Sequence, residues 1–588
     1  MYFRKLNIDS LLNFFKITEI NSLAVFLIIF LSIFYAAVEG LGIAMIFEII
    51  IFIDKSNINN EVSNFLNQAF LYTNLSYNFL NLCIVTSILI ILRYSVEFTK
   101  MTYYSWVETN AEFKLREHLI NGYLRSSVTF FVKHSQGDLN FSLTQLNQAV
   151  IIFRHFFEIM SSVILSFLYI FIFFTISIQM TLFTIGLISL SFIVLKVFSI
   201  NFQKISSLYS ESINNLNKKN IELFNSYKVI KTRNIESFFL EGFQKISQNI
   251  KSLYFEHHKR VHLNSSIGNC TLIIGVIVIV YCGYSFFNIS TSELALFLYI
   301  MSKLANNVIK SNTALLKLIH SNEILKRILS YGKDSYKYCE KYEGKKEIFE
   351  LKKSILFKNV SFSFNKSKIL IKNNIEFFFK KKTTIIGKSG SGKTTIVNLL
   401  LRLIDYDGGN IFIDGKSIKE IDIKTYRKLI GMVPQKPYFF YGSIKENLTY
   451  GLLNLHDEDI QEALELSNSD EFVSKLEKKE NTIIKDNGEN FSGGQLQRLS
   501  LARTLLQKPK IIILDEPTNA LDPEAEKQVI NVINKLSKNF TIICISHSIS
   551  LIQNSDYIVY IENGKILAND KYINLRRKDL NLKKFLNL

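Results

Sequence analysis

Proline is scarce: five residues in 588, none of them before Pro434. Without proline the first half has no ready means of kinking a helix, so helices there are expected to run long. Cysteine is scarce as well. Cys83, Cys270, Cys282, Cys339 and Cys544 are scattered without metal-ligand spacing. Cys270 and Cys282 share one apolar run and read as small apolar fillers. Charge of either sign is nearly missing from long runs of the first half, whereas the second half has an ordinary charged globular composition. The 48% hydrophobic and 13% aromatic content, with 49 Phe, suits a membrane protein better than a soluble one. The formal net charge is +18, yet Lys and Arg form no compact basic motif with interleaved aromatics, so no nucleic-acid partner is expected. A basic cytoplasmic face against anionic lipid is the simpler reading. Arg4 and Lys5 are not followed by a short apolar stretch with a small-residue cleavage site, so no removable leader is expected. The length argues for two or more domains.

A helix needs about 20 apolar residues to cross a bilayer. Six spans are expected, at roughly 22–53, 79–107, 157–177, 180–200, 266–287 and 293–315. The loops set their orientation. Segments 54–78, 178–179 and 288–292 contain one cation, Lys55. Segments 108–156 and 201–265 contain many, among them Lys114, Arg116, Arg125, Lys218, Lys219, Lys228, Lys231 and Arg233. Positive charge stays in the cytoplasm, which places both long segments and the charged second half there. The two long segments are expected to extend the spans as helix. Each then breaks, at Gly137 in Phe130–Asp138 and within Glu222–Lys231, and a docking element is expected at each break. Between the first two spans, Ile58, Val62, Phe65, Leu66, Phe70 and Leu71 have roughly helical spacing. They fit an amphipathic helix on the outer surface or the packing of a loop.

The second half holds Gly387-Lys388-Ser389-Gly390-Ser391-Gly392-Lys393-Thr394 after a strand-like Thr383–Ile386, with apolar Ile396, Val397, Leu399 and Leu400 following. Glycines let backbone N–H groups wrap phosphates, and a helix opening there points its positive end at the anion. Lys393 supplies a cation to the β- and γ-phosphates, and the Thr394 hydroxyl, followed by Thr395, is a Mg²⁺ ligand. Downstream, Ile511–Leu514 ends in Asp515 and Glu516, one carboxylate for the metal and one to polarise a water. Between them, Phe491-Ser492-Gly493-Gly494-Gln495 opens a helix and makes a second anion-binding start.

In this order the motifs resemble the ATP-binding-cassette family, and the resemblance covers the whole chain, membrane domain first, as in exporters with six helices per half. It implies that Gln435 senses Mg²⁺ and the attacking water, that His547 contacts the γ-phosphate, and that Asp522 belongs to the loop crossing to a partner cassette. Phe364 stands where the family usually has a Tyr that stacks on adenine. Phe491 replaces a usual Leu, and Asp486 is a candidate contact to membrane-domain loops. The resemblance further implies ATP and Mg²⁺ as cofactors, and Ser492 and Gly494 of one chain closing over phosphates held by Lys393 of another. A homodimer is the simplest closure; a heterodimer stays open.

The expected architecture is therefore an all-α six-helix transmembrane domain (1–320), a linker (321–350) and an α/β P-loop cassette (351–588) with a helical insertion around 440–510. The expected location is the cell inner membrane, with the cassette cytoplasmic. Glu39 and Arg93 fall at matching depths of the first two spans, where an unpaired charge is costly, and either pair or meet substrate. Lys303, with Lys310 two turns further in, suits an anionic cargo. Ala36–Gly40, Arg93 and the outer stretch together resemble bacterial flippases for lipid-linked oligosaccharides. A peptide, drug or other lipid exporter, or a membrane-tethered nucleotide-sensing regulator, are the alternatives. The chain shows no amino-terminal cysteine-protease domain, which disfavours exporters that cleave their peptide cargo.

Overall fold

The computed structural model describes residues 8–54, 61–72, 75–198, 202–286, 291–340, 344–364, 367–485, 488–519 and 521–578. Arg4, Lys5, Lys55, Ile58, Asp486 and Ala520 lie outside the described residues, as do the side chains of Val62 and Phe65. The chain divides into two compact units, Met1–Cys339 and Glu340–Leu588.

The first unit is helical: α1 (Ile8–Thr18), α2 (Ser22–Asp54), α3 (Glu61–Tyr72), α4 (Phe79–Leu124), α5 (Val128–Lys133), α6 (Gln136–Thr144), α7 (Leu146–Val150), α8 (Ile152–Ile176), α9 (Ile178–Phe198), α10 (Phe202–Thr232), α11 (Glu236–Ser285) and α12 (Thr291–Lys337). Long helices fall on all six expected spans. Among the described residues, four stretches are long and apolar enough to cross a membrane: Ser22–Ile53, Phe79–Leu124, Leu146–Ile176 and Glu236–Gly283. Ile178–Leu190 is a shorter apolar helix. The helix α12 is less apolar because Lys303, Lys310 and Lys317 recur along it, a composition suited to a wall facing other helices or a polar cavity. The missing proline has its counterpart in length. At 46, 50 and 47 residues, α4, α11 and α12 run uninterrupted to about 70 Å, far beyond a hydrocarbon core of about 30 Å. Tyr35, Phe47, Tyr169, Phe173 and Phe297 build the apolar core among the helices, with the rings of Phe173 and Phe297 stacked at 4.2 Å. The helix α3 packs Leu66 and Phe70 onto Met45 and Leu82, while Leu71 is exposed, so among the described residues Glu61–Tyr72 is helical with one face covered.

The two expected breaks differ. Near Gly137 the chain does break: α5 and α6 are short, and Ser135 caps α6 in a capping box with Asp138. Gly137 lies against α10, where a Cβ would come within 2.7 Å of the Lys218 Cα. Glu222–Lys231, in contrast, lies inside the continuous helix α10. It contains neither glycine nor proline, and the turn comes after it, where Asn234 takes a left-handed φ of +52° that asparagine tolerates.

Asp138 ties three helices together. Its Oδ1 lies 2.8 Å from Lys218 Nζ and accepts from Asn214 Nδ2 at 2.8 Å and Tyr331 Oη at 3.1 Å; its Oδ2 accepts from Ser135 Oγ at 2.7 Å. Burial acts to raise its pKa, but the bonds from Lys218, Asn214 and Ser135 outweigh burial and hold the carboxyl well below the usual range. A depressed carboxylate stabilises the fold above its unfolded pKa of about 4 and loses that contribution as pH falls through the folded value. Asp138→Asn is therefore expected to cost about 2–3 kcal/mol at pH 7, and the gap to wild type should close in melting curves taken at progressively lower pH below about 4.

The second unit carries two larger sheets. The strands are β1 (Ser354–Phe364), β2 (Ser367–Phe378), β3 (Lys382–Ile386), β4 (Gly408–Ile413), β5 (Lys416–Ser417), β6 (Ile430–Val433), β7 (Gly442–Ser443), β8 (Ile483–Ile484), β9 (Ile511–Asp515), β10 (Thr541–Ile545), β11 (Tyr557–Glu562) and β12 (Lys565–Lys571). One sheet has the order β12-β11-β3-β10-β9-β6; all its pairings are parallel except that of β11 with β12. All five residues of β3 and of β10 are buried, as expected of strands covered on both faces. The other sheet, β2-β1-β4-β5, is antiparallel. Helices α13 (Lys393–Leu400) and α14 (Ile423–Lys428) belong to the main body. The helical insertion comprises α15 (Ile444–Thr449), α16 (Asp457–Leu466), α17 (Asp470–Val473) and α18 (Gly493–Leu506); α19 (Pro523–Leu536) follows β9.

Candidate functional site

The parallel sheet gathers the nucleotide motifs by register. Ile545 of β10 pairs with Ile385 of β3 on one side and Asp515 of β9 on the other. Val433 of β6 pairs with Leu514. The segments leaving the carboxyl ends of these four strands carry the glycine loop, Gln435, Glu516 and His547, so residues up to about 160 positions apart in sequence converge on one edge. In open parallel sheets this edge is where ligands bind.

The glycine loop runs from β3 into α13. Gly392 takes a φ of +107°, strained for any side chain, and a Cβ there would meet Leu370 Cδ2 at 2.9 Å. Lys393 opens the helix and folds back, donating from Nζ to the carbonyls of Gly387 at 2.7 Å and Lys388 at 3.1 Å, with His547 Nε2 at 3.3 Å. The Ser391 hydroxyl is buried without a hydrogen-bond partner, and Thr394 is exposed at the helix start. An anion with several acceptor oxygens fits these groups. Glu516 sits at a φ of +46°, its N–H held by the Ile545 carbonyl at 2.9 Å. Its carboxylate accepts from Gln435 Nε2 at 2.6 Å and from Asn519 Nδ2 at 2.9 Å, and lies 3.8 Å from His547. Burial lowers the Lys393 pKa, partly opposed by Glu516 and Asp515. Burial, then Glu516, raises that of Asp515. Burial, then Lys393, lowers that of His547, so its ring is neutral at pH 7. Lys393→Ala is expected to weaken ATP binding about 10–100-fold, the worth of a charge-assisted contact, in titrations with a fluorescent ATP analogue.

The remaining cassette residues hold helix starts. Ser492 caps α18 in a capping box, its hydroxyl accepting from Gln495 N while Gln495 Oε1 accepts from Ser492 N at 2.9 Å. Gly493 beside it is exposed, whereas Gly494 packs against Ala525. Phe491 is half-buried on Phe472 at 6.3 Å between centroids, so this departure from Leu packs within the insertion. Asp522 caps α19 through Glu524 N and Ala525 N. Phe364 ends β1, half-buried.

In the membrane unit, Glu39 is 3% exposed and forms an ion pair with Arg93. Its Oε1 also lies 3.6 Å from Lys303 Nζ and accepts from Tyr169 Oη at 3.3 Å. Arg93 donates to Tyr35 Oη at 3.0 Å and has the Tyr94 ring centroid 5.0 Å from its Cζ. Lys303, expected as a cavity cation, is thus drawn to Glu39. Lys310 lines a cavity of about 320 Å³ whose wall includes Tyr35, Glu97, Lys100, Glu158 and Lys317.

Several of these residues escaped the sequence reading. Asn519 was given no role, yet its Nδ2 donates to the Glu516 carboxylate. Lys100 lies in the second span and is only 5% exposed; it donates to Ser161 Oγ at 3.1 Å and lies over the Tyr35 ring at 4.5 Å. Its signal was available: a cation within an apolar run. Lys317 completes a seven-residue repeat with Lys303 and Lys310, which puts all three near one face of α12.

A helical membrane region followed by a sheet whose strand ends assemble a phosphate loop, a carboxylate, a glutamine and a histidine defines a membrane-bound P-loop nucleotide-binding protein. Residues 7–307 match the family described as ABC transporter transmembrane region, and residues 372–519 match the family described as ABC transporter. The chain belongs to the ABC transporter family, with the membrane region and the ATP-binding cassette of an exporter in one polypeptide. It is 27% identical over 499 residues to an ATP-dependent lipid A-core flippase of Photorhabdus laumondii, covering 81% of this chain and 83% of that protein. It is 38% identical over 234 residues to ABC transporter B family member 14 of Arabidopsis thaliana, 39% of this chain but only 19% of the plant protein. In fold it is similar to a bacterial Atm1-family ABC exporter solved with ATP bound, at a TM-score of 0.77, 19% identity, and coverage of 97% and 98% of the two chains.

Proposed function

We propose that the protein is an ATP-driven flippase that moves an anionic amphipath, such as a lipid carrying a glycan through a phosphate or pyrophosphate, across the cell inner membrane. The observation that carries this reading is the membrane cavity of about 320 Å³, where Lys100, Lys310 and Lys317 face Glu97 and Glu158. Three cations against two carboxylates leave a net positive wall, with Lys317 just beyond the cytoplasmic end of the expected sixth span, complementary to an anionic headgroup entering from that side. The lipid A-core flippases among its relatives make a lipid cargo reasonable.

Lys393, Ser391 and the loop backbone hold the β- and γ-phosphates. Gln435, His547 and Glu516 ring the γ-phosphate, and Glu516 takes the proton of the attacking water. Thr394, Gln435 and Asp515 are the residues that would hold Mg²⁺, which neutralises charge on the phosphate oxygens. Two copies of the chain close over two nucleotides, with Ser492, Gly493, Gly494 and Gln495 of one copy facing the phosphates bound to the other, and Phe364 stacking on adenine.

The test is ATP hydrolysis by the full chain in lipid nanodiscs, with lipid-linked oligosaccharides, other anionic lipids and peptides added singly. Stimulation by an anionic lipid-linked glycan supports the reading. Stimulation by peptides or neutral drugs alone overturns the cargo assignment. Function in cells that survives Glu516→Gln would favour a nucleotide-sensing regulator instead.

A further inference from the structure

Four of the nine histidines converge on one cavity of about 250 Å³ in the membrane unit. His155 comes from α8, His257 and His258 from α11, and His320 from α12; Tyr209, Tyr254 and Lys317 complete the wall that matters here. The rings of His257 and His320 lie 4.9 Å apart. Their Nε2 and Nδ1 atoms, respectively, are buried with no hydrogen-bond partner. Buried ring nitrogens without partners are costly, and two of them belong to neighbouring rings that line this one cavity. None of the residues lining the cavity is a carboxylate. Of the acids close in sequence to its members, Glu158 Oε2 lies 3.0 Å from His155 Nδ1, Glu256 lies 3.4 Å from Lys259 and 3.9 Å from Arg260, and Glu323 Oε1 accepts from Gln203 Nε2 at 2.8 Å. Lys317 lines this cavity and also the deeper one that holds Lys310 and Lys100.

We propose that this histidine cavity binds a phosphate-bearing headgroup through His257, His320 and Lys317, as a holding site on the cytoplasmic side from which Lys317 leads to the deeper cavity. The holding role rests on the flippase reading; the binding itself does not. Both rings lie outside the expected spans, and burial, reinforced by neighbouring imidazoles, pushes them down to about 4, so the unliganded cluster is neutral. A phosphate favours the imidazolium form, so binding takes up protons and strengthens as pH falls. The groups facing the pair are His155 with Glu158 on α8, Tyr209 on α10, Tyr254 and His258 on α11, and Lys317 on α12.

The test compares wild type with His257→Phe/His320→Phe in two arms. In the first, retention of phosphatidic acid over phosphatidylcholine on the full-length protein is read by native mass spectrometry. In the second, pyrophosphate is titrated calorimetrically at pH 8 and pH 6 in a Lys393→Ala background, which weakens phosphate binding by the cassette. Binding is expected to weaken at least about fivefold in the variant, and wild-type affinity to rise about tenfold from pH 8 to pH 6. A loss in either arm upholds phosphate recognition and names the source as lipid or soluble. Equal binding by wild type and variant in both arms overturns it. Should the Phe variant fail to fold, His257→Gln/His320→Gln keeps polar groups there but does not titrate; retention of the wild-type pH dependence by that variant also overturns the proposal. ATP turnover indifferent to every anionic amphipath would remove the flippase reading and leave this one standing, since neither arm measures turnover.

Discussion

Glu516→Gln is expected to lower ATP turnover by about 10²–10⁴-fold while leaving ATP binding close to wild type, the usual loss when a general base is removed. The side chain is held by Gln435 and Asn519, and Gln fills the same volume, so the site should keep its shape. Phosphate release in nanodiscs gives the turnover and a fluorescent nucleotide gives the binding. Turnover within threefold of wild type would remove Glu516 from the role. A parallel drop in binding and turnover would make the residue structural. Asn519→Ala should do less, about tenfold on turnover, because the Gln435 contact still restrains the carboxylate.

The second large effect concerns Glu39. Reversing it to Arg places a third cation beside Arg93 and Lys303, in a site only 3% exposed. Breaking a buried charge pair in this way costs about 3–5 kcal/mol, enough to abolish accumulation of folded protein. The simple charge swap, Glu39→Arg with Arg93→Glu, should rescue only in part, because Lys303 at 3.6 Å then faces the new arginine. Adding Lys303→Met should complete the rescue. Yield and melting temperature of the purified protein across the series decide it: full rescue by the double variant would mean that Lys303 takes no part.

The cassette was legible in the sequence because phosphate chemistry dictates residue order within short, contiguous motifs. Thr383–Thr394 had to be a strand, a glycine turn and a helix start, since each part is useless without the next. Depth alone brought Glu39 and Arg93 together and left pairing or substrate contact open; their packing decides for the pair. The approach of Lys303 to Glu39 was not legible because depth does not give azimuth: the way a helix turns its lysine depends on how α12 packs beside α2 and α4. The break assigned to Glu222–Lys231 lies inside a continuous helix, because the stretch holds no glycine or proline to interrupt it and the turn needed Asn234. The histidine cavity was invisible because its members come from three helices, 165 positions apart at the extremes (155 to 320), with no local spacing to announce them.

The unbroken length of α12 has a mechanical consequence. A stiff rod of about 70 Å, pivoted near one end through about 5°, sweeps its other tip by about 6 Å. Such a lever works in both directions. A wide swing at the cytoplasmic tip becomes a sub-ångström to ångström adjustment near the outer end, with the force multiplied there, while a small displacement at the outer end is magnified far below. A hinge in the middle would absorb that stroke. Inserting proline near Asn307 would add such a hinge, and the ATPase would then turn over while little of its stroke reached the outer membrane face.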